Sequence, residues 1–332
     1  MRTMDNSCVC FVDSLSGEIA RVVADLAPDR IFLLTDTNVA QAVKVSLPPG
    51  VAVREVQAGE SAKSVESACG LWRWLAESGA TRRSLLLNLG GGVVSDLGGF
   101  VAATFKRGIR FVNVPTTLLA MADAAIGGKT GIDFMGLKNE VGAFAQPERV
   151  IICPEVLKTL PDAELRSGFA EVVKTAIISD AGVYDSLLRP GALYDKEIMA
   201  RAIRFAARTK QEVVAQDPTE QGLRRILNFG HTAGHAYEEY AAAIGSPISH
   251  GEAVAHGMLA ALRQSADRLG FPACRVDEYE KNILECYYRP LPFGDEAEPE
   301  LRRLMTHDKK NVGDGKIRFV LLRDVAEPVI NP

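Results

Sequence analysis

The segment that most restricts the fold is a Leu-rich run over residues 85–89 that stops at Gly90-Gly91-Gly92 and gives way to a small-residue helical pattern over 96–105. A short apolar run bounded by glycines reads as a buried strand, and glycines let the backbone turn sharply at its end. Similar strand runs lie at 31–34, ending at Thr35-Asp36, and at 111–114 and 150–153. Between them, residues 62–77 place Val65, Ala68, Leu71, Trp72 and Leu75 at helical spacing. Strands alternating with helices predict a parallel α/β sheet. The glycine turn allows two readings: a structural βα turn, or a cradle for a pyrophosphate at a helix N-terminus. Its spacing is not the GxGxxG pattern.

The pattern changes after Thr159, Pro161 and Asp162, which are helix-start signals. Helical stretches are expected over 162–179, 198–214, 230–240, 252–269 and 276–287, a loop over 290–299, and no strand until 317–322. The chain of 332 residues therefore divides near 160 into an α/β first domain, 1–160, and a mostly α-helical second domain, 161–332. With 47% hydrophobic and 24% charged residues and a net charge of −4, a general nucleic-acid or membrane binder is not expected. The six cysteines are scattered and read as reduced thiols of a cytosolic protein, with only Cys8 and Cys10 close in sequence. Residues 1–14 lack the apolar stretch of a signal peptide, and no run reaches the roughly 18–20 apolar residues of a membrane span.

Three of the five histidines lie close together: His231, His235 and His250. His231 and His235 are at i and i+4, on one helix face, and His250 is expected in a loop entering the next helix. Such a His pair resembles half a zinc site and needs a third ligand from elsewhere. Glu171, in the otherwise apolar RSGFAEVVKTAII, is the candidate, because a carboxylate there is expensive to bury unless paired or metal-bound. Lys174, at i+3, offers the alternative of a simple ion pair. His256 and His307 read as surface or packing residues. Lys129 follows a second glycine turn, Lys138-Asn139 lies in a polar break, Lys210 shares a helix with Arg201, Arg204 and Arg208, and Arg224 precedes Ile226-Leu227. An anion site would need several of these cations to converge, and each could equally be a solvated surface group.

The segments GGGVVSDLGGFVAATFKRGIRFVNVPTTLLAMADAAIGGKTGID, LKNEVGAFAQPERVI, LPDAELRSGFAEVVK, GLRRILNFGHTAGHA and HGEAVAHGM, in that order, resemble the 3-dehydroquinate synthases, members of the sugar-phosphate cyclases. The resemblance runs from about residue 36 to Asp308-Lys309-Lys310. It implies a Rossmann-like NAD domain, a helical metal- and substrate-binding domain, an active site in the cleft between them, and fold ancestry shared with glycerol dehydrogenase-like enzymes. It assigns Glu171, His231 and His250 to a Zn2+ or Co2+ ion. Asp36, Asn38, Glu60, Lys63, Gly91, Gly92 and Val93 match NAD contacts, as do Asp96, Thr116, Thr117, Lys129, Lys138 and Thr159. Asp123, Lys129, Asn139, Lys174, Lys210, Arg224, Asn228, His235 and Lys309 match contacts to the sugar-phosphate substrate. Catalytic roles fall to His235, Glu220, Lys174 and Asp123, and Arg107 matches a phosphate contact supplied across a homodimer interface. The implied reaction is cyclisation of 3-deoxy-D-arabino-heptulosonate 7-phosphate with phosphate loss and transient NAD-dependent oxidation, in the cytoplasm. Another sugar-phosphate cyclase or a metal-dependent polyol dehydrogenase of the same fold is the alternative. Two positions depart from the family pattern: Ser95 stands where Gly is usual, and Ala124-Ala125 replaces a usual Ser pair.

Overall fold

Leu85, Leu87 and Leu89 point to one face of a sheet and Leu86 to the other, and both faces are covered. The computed structural model describes residues 8–307 and 317–330, and its contacts divide the chain into two units between Pro161 and Asp162. The first unit runs β1 (Val9–Phe11), α1 (Leu15–Leu26), β2 (Ile31–Asp36), α2 (Thr37–Ala42), β3 (Ala52–Val56), α3 (Val65–Glu77), β4 (Leu85–Gly90), α4 (Gly92–Thr104), β5 (Arg110–Pro115), β6 (Lys129–Phe134), β7 (Leu137–Phe144) and β8 (Arg149–Ile152). Six strands form one sheet in the order β1-β8-β5-β4-β2-β3, with every pair parallel.

Central β4 is buried at all of its residues, which is why it reads as a nearly continuous Leu run. Leu15, Ile19 and Val22 of α1 cover one face, and Ala68, Leu71 and Leu75 of α3 with Leu97 and Val101 of α4 cover the other. Val39 of α2 packs on the α1 face, opposite α4. Between β2 and β4 the connections thus leave on opposite faces of the sheet, the switch point beside which α/β sheets bind ligands at the carboxyl ends of their strands. The one polar residue of the run, Asn88, donates from Nδ2 to Asn113 Oδ1 at 3.0 Å, and Asn113 donates to the Ala125 carbonyl at 3.0 Å.

Two local readings are refined in this unit, and one strand was not read at all. Helix α4 starts at Gly92 rather than 96, because the glycine turn is tight enough for the helix to begin inside it. Lys138 and Asn139 lie within β7 of an antiparallel β6–β7 hairpin, at a break in its ladder where neither has a register partner and Asn139 holds φ 50°. Met135 and Gly136, at φ 51° and 80°, form the two-residue hairpin turn. Edge strand β3, largely exposed, carries too little apolar alternation to have been read as a strand.

The second unit contains α5 (Asp162–Ile177), α6 (Ala181–Leu187), α7 (Lys196–Gln216), α8 (His231–Ala243) and α9 (His250–Leu269). Further helices follow at Ala273–Tyr279 and Glu298–His307, and strands Val320–Leu322 and Pro328–Ile330 pair antiparallel. The expected loop over 290–299 contains a 3-10 turn, Asp295–Ala297, and the start of the Glu298–His307 helix.

From Ser167 to Ile177 every residue of α5 is buried, so this helix forms the centre of the unit. Helix α9 approaches it so closely that a Cβ on Gly251 would stand 1.9 Å from the Ser167 carbonyl oxygen. His250 is the first residue of α9 and not part of a loop, because Ser249 caps the helix by accepting a hydrogen bond from the Glu252 amide at 3.2 Å. Ser249→Ala is expected to lower stability by about 1 kcal/mol, read as a lower urea midpoint; an unchanged midpoint would show that the cap contributes nothing.

Candidate active site

His231 and His235 lie one turn apart on α8, His250 opens α9, and Glu171 sits in the buried stretch of α5. Glu171 Oε1 lies 3.4 Å from His231 Nε2 and 3.5 Å from His250 Nε2. One donor atom from each of the three residues lies within 4.8 Å of the others, and this is the one such cluster among the described residues. The other ring nitrogens are engaged: His231 Nδ1 is 3.1 Å from the Phe229 carbonyl and His250 Nδ1 is 3.1 Å from Glu238 Oε2. A neutral imidazole that donates from Nδ1 presents an unprotonated Nε2, so in that form both rings are arranged as ligands, a cation taking the place of any second proton.

Glu171 is 1% exposed, and neither carboxylate oxygen has a well-aligned hydrogen-bond partner among the described residues. Lys174 Nζ stands 2.5 Å from Oε2, so the expected i+3 ion pair is present, but Oε1 still faces the two imidazoles. Burial by itself raises the Glu171 carboxyl, but the Lys174 charge and the His250 contact hold it well below the usual carboxylate range. Burial likewise lowers His250, yet Glu171 and Glu238 outweigh it and lift the imidazole to about 9. The field that favours a proton there favours a cation. Two His nitrogens and one carboxylate oxygen are a zinc-type donor set, so the residues fit a divalent metal.

Around this centre, His235 lies with its ring 5.4 Å from His231 and 6.0 Å from His250, centroid to centroid. Lys174 and Arg224 are 1% and 2% exposed, and Lys210 is also buried. Of the cations on α7, Arg201, Arg204 and Arg208 are exposed, so only Lys210 leaves the solvated face. Asp217 organises the following loop by accepting from the amides of Gln221, Gly222 and Arg224. In that loop Arg224 Nη1 donates to the Pro218 carbonyl at 2.7 Å, and Asn228 Nδ2 donates to Glu220 Oε1 at 2.5 Å. His256 is a packing residue whose Nε2 lies 2.8 Å from the Arg289 carbonyl. Lys309 lies outside the described residues.

In the first unit, other named residues collect at the carboxyl ends of the strands. Asp36 caps α2 by accepting from the amides of Asn38 and Val39, which gives it a structural use besides any ligand contact. Gly91 caps α4, and a Cβ there would lie 2.9 Å from Thr117 Cγ2, so the turn and the segment after β5 approach within glycine distance. The Thr116 amide donates to the Gly90 carbonyl at 3.0 Å. Val93 is partly buried in the first turn of α4.

Lys63, 3% exposed, joins Asp96 Oδ2 at 2.9 Å, Asn139 Oδ1 at 2.5 Å and Glu60 Oε1 at 3.2 Å. Asn139 thereby sits with the Glu60, Lys63 and Asp96 group, and its amide donates to Asp133 Oδ1 at 2.8 Å. Asp123 lies in a π turn, Ala120–Ala124, while Arg107, Lys129, Lys138 and Thr159 are exposed. Ser95 is buried in α4, and its Oγ has no hydrogen-bond partner among the described residues. Ala124 faces the turn, its Cβ 3.2 Å from where a Cβ on Gly92 would stand.

Two residues of evident structural importance were not singled out from sequence. Glu238 is an ordinary solvated helix residue in the string HAYEEY until its spacing from His231 and His235, i+7 and i+3, is noticed. Asp217 carries a clearer signal, an Asp-Pro pair of the kind that initiates turns.

Residues 53–167 match the family described as 3-dehydroquinate synthase N-terminal, and residues 168–311 match its C-terminal counterpart. The chain belongs to the 3-dehydroquinate synthase family. A 3-dehydroquinate synthase of Parabacteroides distasonis is 41% identical over 338 residues, spanning 99% of this chain and 94% of the relative. Among solved structures, 2-deoxy-scyllo-inosose synthase complexed with carbaglucose-6-phosphate, NAD+ and Co2+ superposes with a TM-score of 0.81 at 25% identity, covering 97% of this chain and 90% of that one. The 2-epi-5-epi-valiolone synthase of Streptomyces hygroscopicus, with NAD+ and Zn2+ bound, gives a TM-score of 0.81 at 26% identity over 98% and 92%. Family membership and fold agree with the resemblance read from the motifs.

Proposed function

We propose that this chain is a 3-dehydroquinate synthase that converts 3-deoxy-D-arabino-heptulosonate 7-phosphate to 3-dehydroquinate and phosphate. The reaction passes through transient oxidation of a substrate hydroxyl, phosphate elimination, re-reduction, ring opening and internal aldol closure. The observation that carries the reading is the Glu171, His231 and His250 donor set, with Lys174 and His235 beside it, in a chain matched along most of its length by this family. Glu171, His231 and His250 would hold Zn2+ or Co2+, and the residues gathered around Gly91, Lys63 and Asp96 would hold NAD. Held there, the metal would supply Lewis-acid polarisation of the hydroxyl that is oxidised, and NAD would supply a reversible hydride acceptor.

The chain's own groups supply the rest. Lys174, Lys210 and Arg224 hold positive charge in buried surroundings, where pairing with a carboxylate or phosphate is stronger than in water. His235 exchanges a proton at a ring nitrogen, the usual imidazole role near neutral pH. Glu220 accepts a proton at its carboxylate, which the Asn228 amide orients. Asp123, Lys129 and Asn139 contact substrate or cofactor from the first unit. Arg107 reaches the phosphate of a neighbouring protomer in a cytoplasmic homodimer.

The test is phosphate release from the heptulosonate phosphate with catalytic NAD+ and added Zn2+, with NADH absorbance followed in the same cuvette. Many turnovers of phosphate without NADH accumulation are expected. Stoichiometric NADH would point to a polyol dehydrogenase, and no phosphate with metal bound would point to a cyclase for another sugar phosphate. Arg224→Ala is expected to raise KM and lower kcat, reducing kcat/KM on the order of 10- to 100-fold, the range for a hydrogen bond to a charged group. Unchanged kinetics would remove Arg224 from the site.

A further inference from the structure

His231, His235 and Glu238 fall at i, i+4 and i+7 on α8, a single stripe of that helix. Two of them already belong to the candidate centre. Glu238 has a side chain 15% exposed and places Oε2 3.1 Å from His250 Nδ1, on α9. The two imidazoles facing Glu171 are therefore held by different acceptors. His231 uses the neutral carbonyl of Phe229, two residues away on its own chain segment. His250 uses a charged side chain from another helix, which must be delivered by the packing of α8 on α9.

That packing is unusually close. A Cβ on Gly257 of α9 would stand 2.1 Å from the Gly230 carbonyl oxygen and 2.7 Å from the Gly234 amide nitrogen. The stripe is thereby held within hydrogen-bond reach of His250, the first residue of α9.

We infer that Glu238 is a positioning residue for the metal centre: it accepts the Nδ1 proton of His250, fixes the tautomer with a bare Nε2, and aims that nitrogen at the position shared by Glu171 and His231. The inference rests on the proposed metal site. It differs from that proposal in assigning part of the site's affinity to a side chain that touches no metal. A carboxylate behind a ligating imidazole both orients the ring and makes it a stronger donor, and loss of such a partner weakens metal binding about 10- to 100-fold. Glutamine in the same place keeps an acceptor oxygen for Nδ1–H but not the charge.

The experiment is Zn2+ competition between the full-length protein and a chromophoric chelator, at one pH, for wild type, Glu238→Ala, Glu238→Gln and His231→Ala. No substrate or turnover is needed. Glu238→Ala is expected to bind Zn2+ about 10- to 100-fold more weakly than wild type, with unchanged circular dichroism, and Glu238→Gln to recover most of that loss. Glu238→Ala within twofold of wild type would overturn the inference. So would equal weakness of the Ala and Gln variants, because a hydrogen bond that orients the ring is what is claimed. His231→Ala separates the two levels: if it too binds Zn2+ normally, the metal site itself is wrong, whereas a loss confined to His231→Ala leaves the site intact and removes Glu238 from it.

Discussion

His231→Ala is expected to lose the bound metal and nearly all phosphate-releasing activity. Its Nε2 is one of the two imidazole nitrogens that face Glu171 Oε1, at 3.4 Å, and no other His, Cys, Asp or Glu joins that cluster among the described residues. His235 is the nearest candidate to substitute, but its ring lies 5.4 Å from that of His231, and it stands one helical turn further along α8. Without the third ligand, the transition-state charge that a Lewis acid stabilises by several kcal/mol is left to the protein alone, a loss on the order of 10^3-fold or more in kcat. The fold is expected to survive, because Glu171 keeps its Lys174 partner and the His231 ring is not part of the apolar core. Metal analysis of the purified variant, together with phosphate release, checks this. Full zinc occupancy with normal turnover would sink the ligand assignment.

Gly257→Ala is expected to destabilise the protein at or beyond the upper end of the roughly 1–3 kcal/mol typical of overpacking. The new methyl would meet backbone, the Gly230 carbonyl at 2.1 Å and the Gly234 amide at 2.7 Å, and backbone cannot rotate away as a side chain can. Relief requires α8 to move off α9. Gly230 cannot easily follow, since it holds φ 77° and has Met258 packed against it. His231 comes next in the chain, so the movement also displaces this proposed metal ligand from His250. A lower denaturation midpoint and weaker Zn2+ binding should appear together. Gly70→Ala is the control: it lies within α3, has nothing within 4 Å of its Cβ position, and should leave both unchanged or raise stability slightly. A Gly257→Ala variant as stable as the Gly70→Ala control would show that the helices have room the structure does not reveal.

These two variants divide along the line between what is local and what is not. Leu85–Gly90 announced itself as a buried strand because burial on both faces demands apolar residues at nearly every position. The glycines after it marked a tight turn because only that geometry brings Gly91 against Thr117. Exposed β3 and the β6–β7 hairpin left no such trace. Phe134, Met135, Leu137 and Phe144 of the hairpin are exposed, so no alternation of buried and solvated residues was imposed on it. Glu171 was legible as an anomaly, a carboxylate in an apolar helix, but its purpose stayed divided between Lys174 and a metal. The structure sets Lys174 at one carboxylate oxygen and turns the other toward the His231 and His250 imidazoles.

By itself, the sequence determined the alternating sheet of the first unit, the helices of the second, the glycines at the cofactor-type turn, and the supply of His, Glu, Lys and Arg from which a site could be built. Each of these follows from contacts a residue makes within a few positions of itself, or from whether it is buried at all. Only tertiary structure decided that Glu171, His231 and His250 meet and that Glu238 stands behind His250. Those facts depend on how closely helices α5, α8 and α9 approach one another, a distance set by which residues lack a Cβ at the crossing points, and pairings across such crossings leave no periodic mark on any one segment.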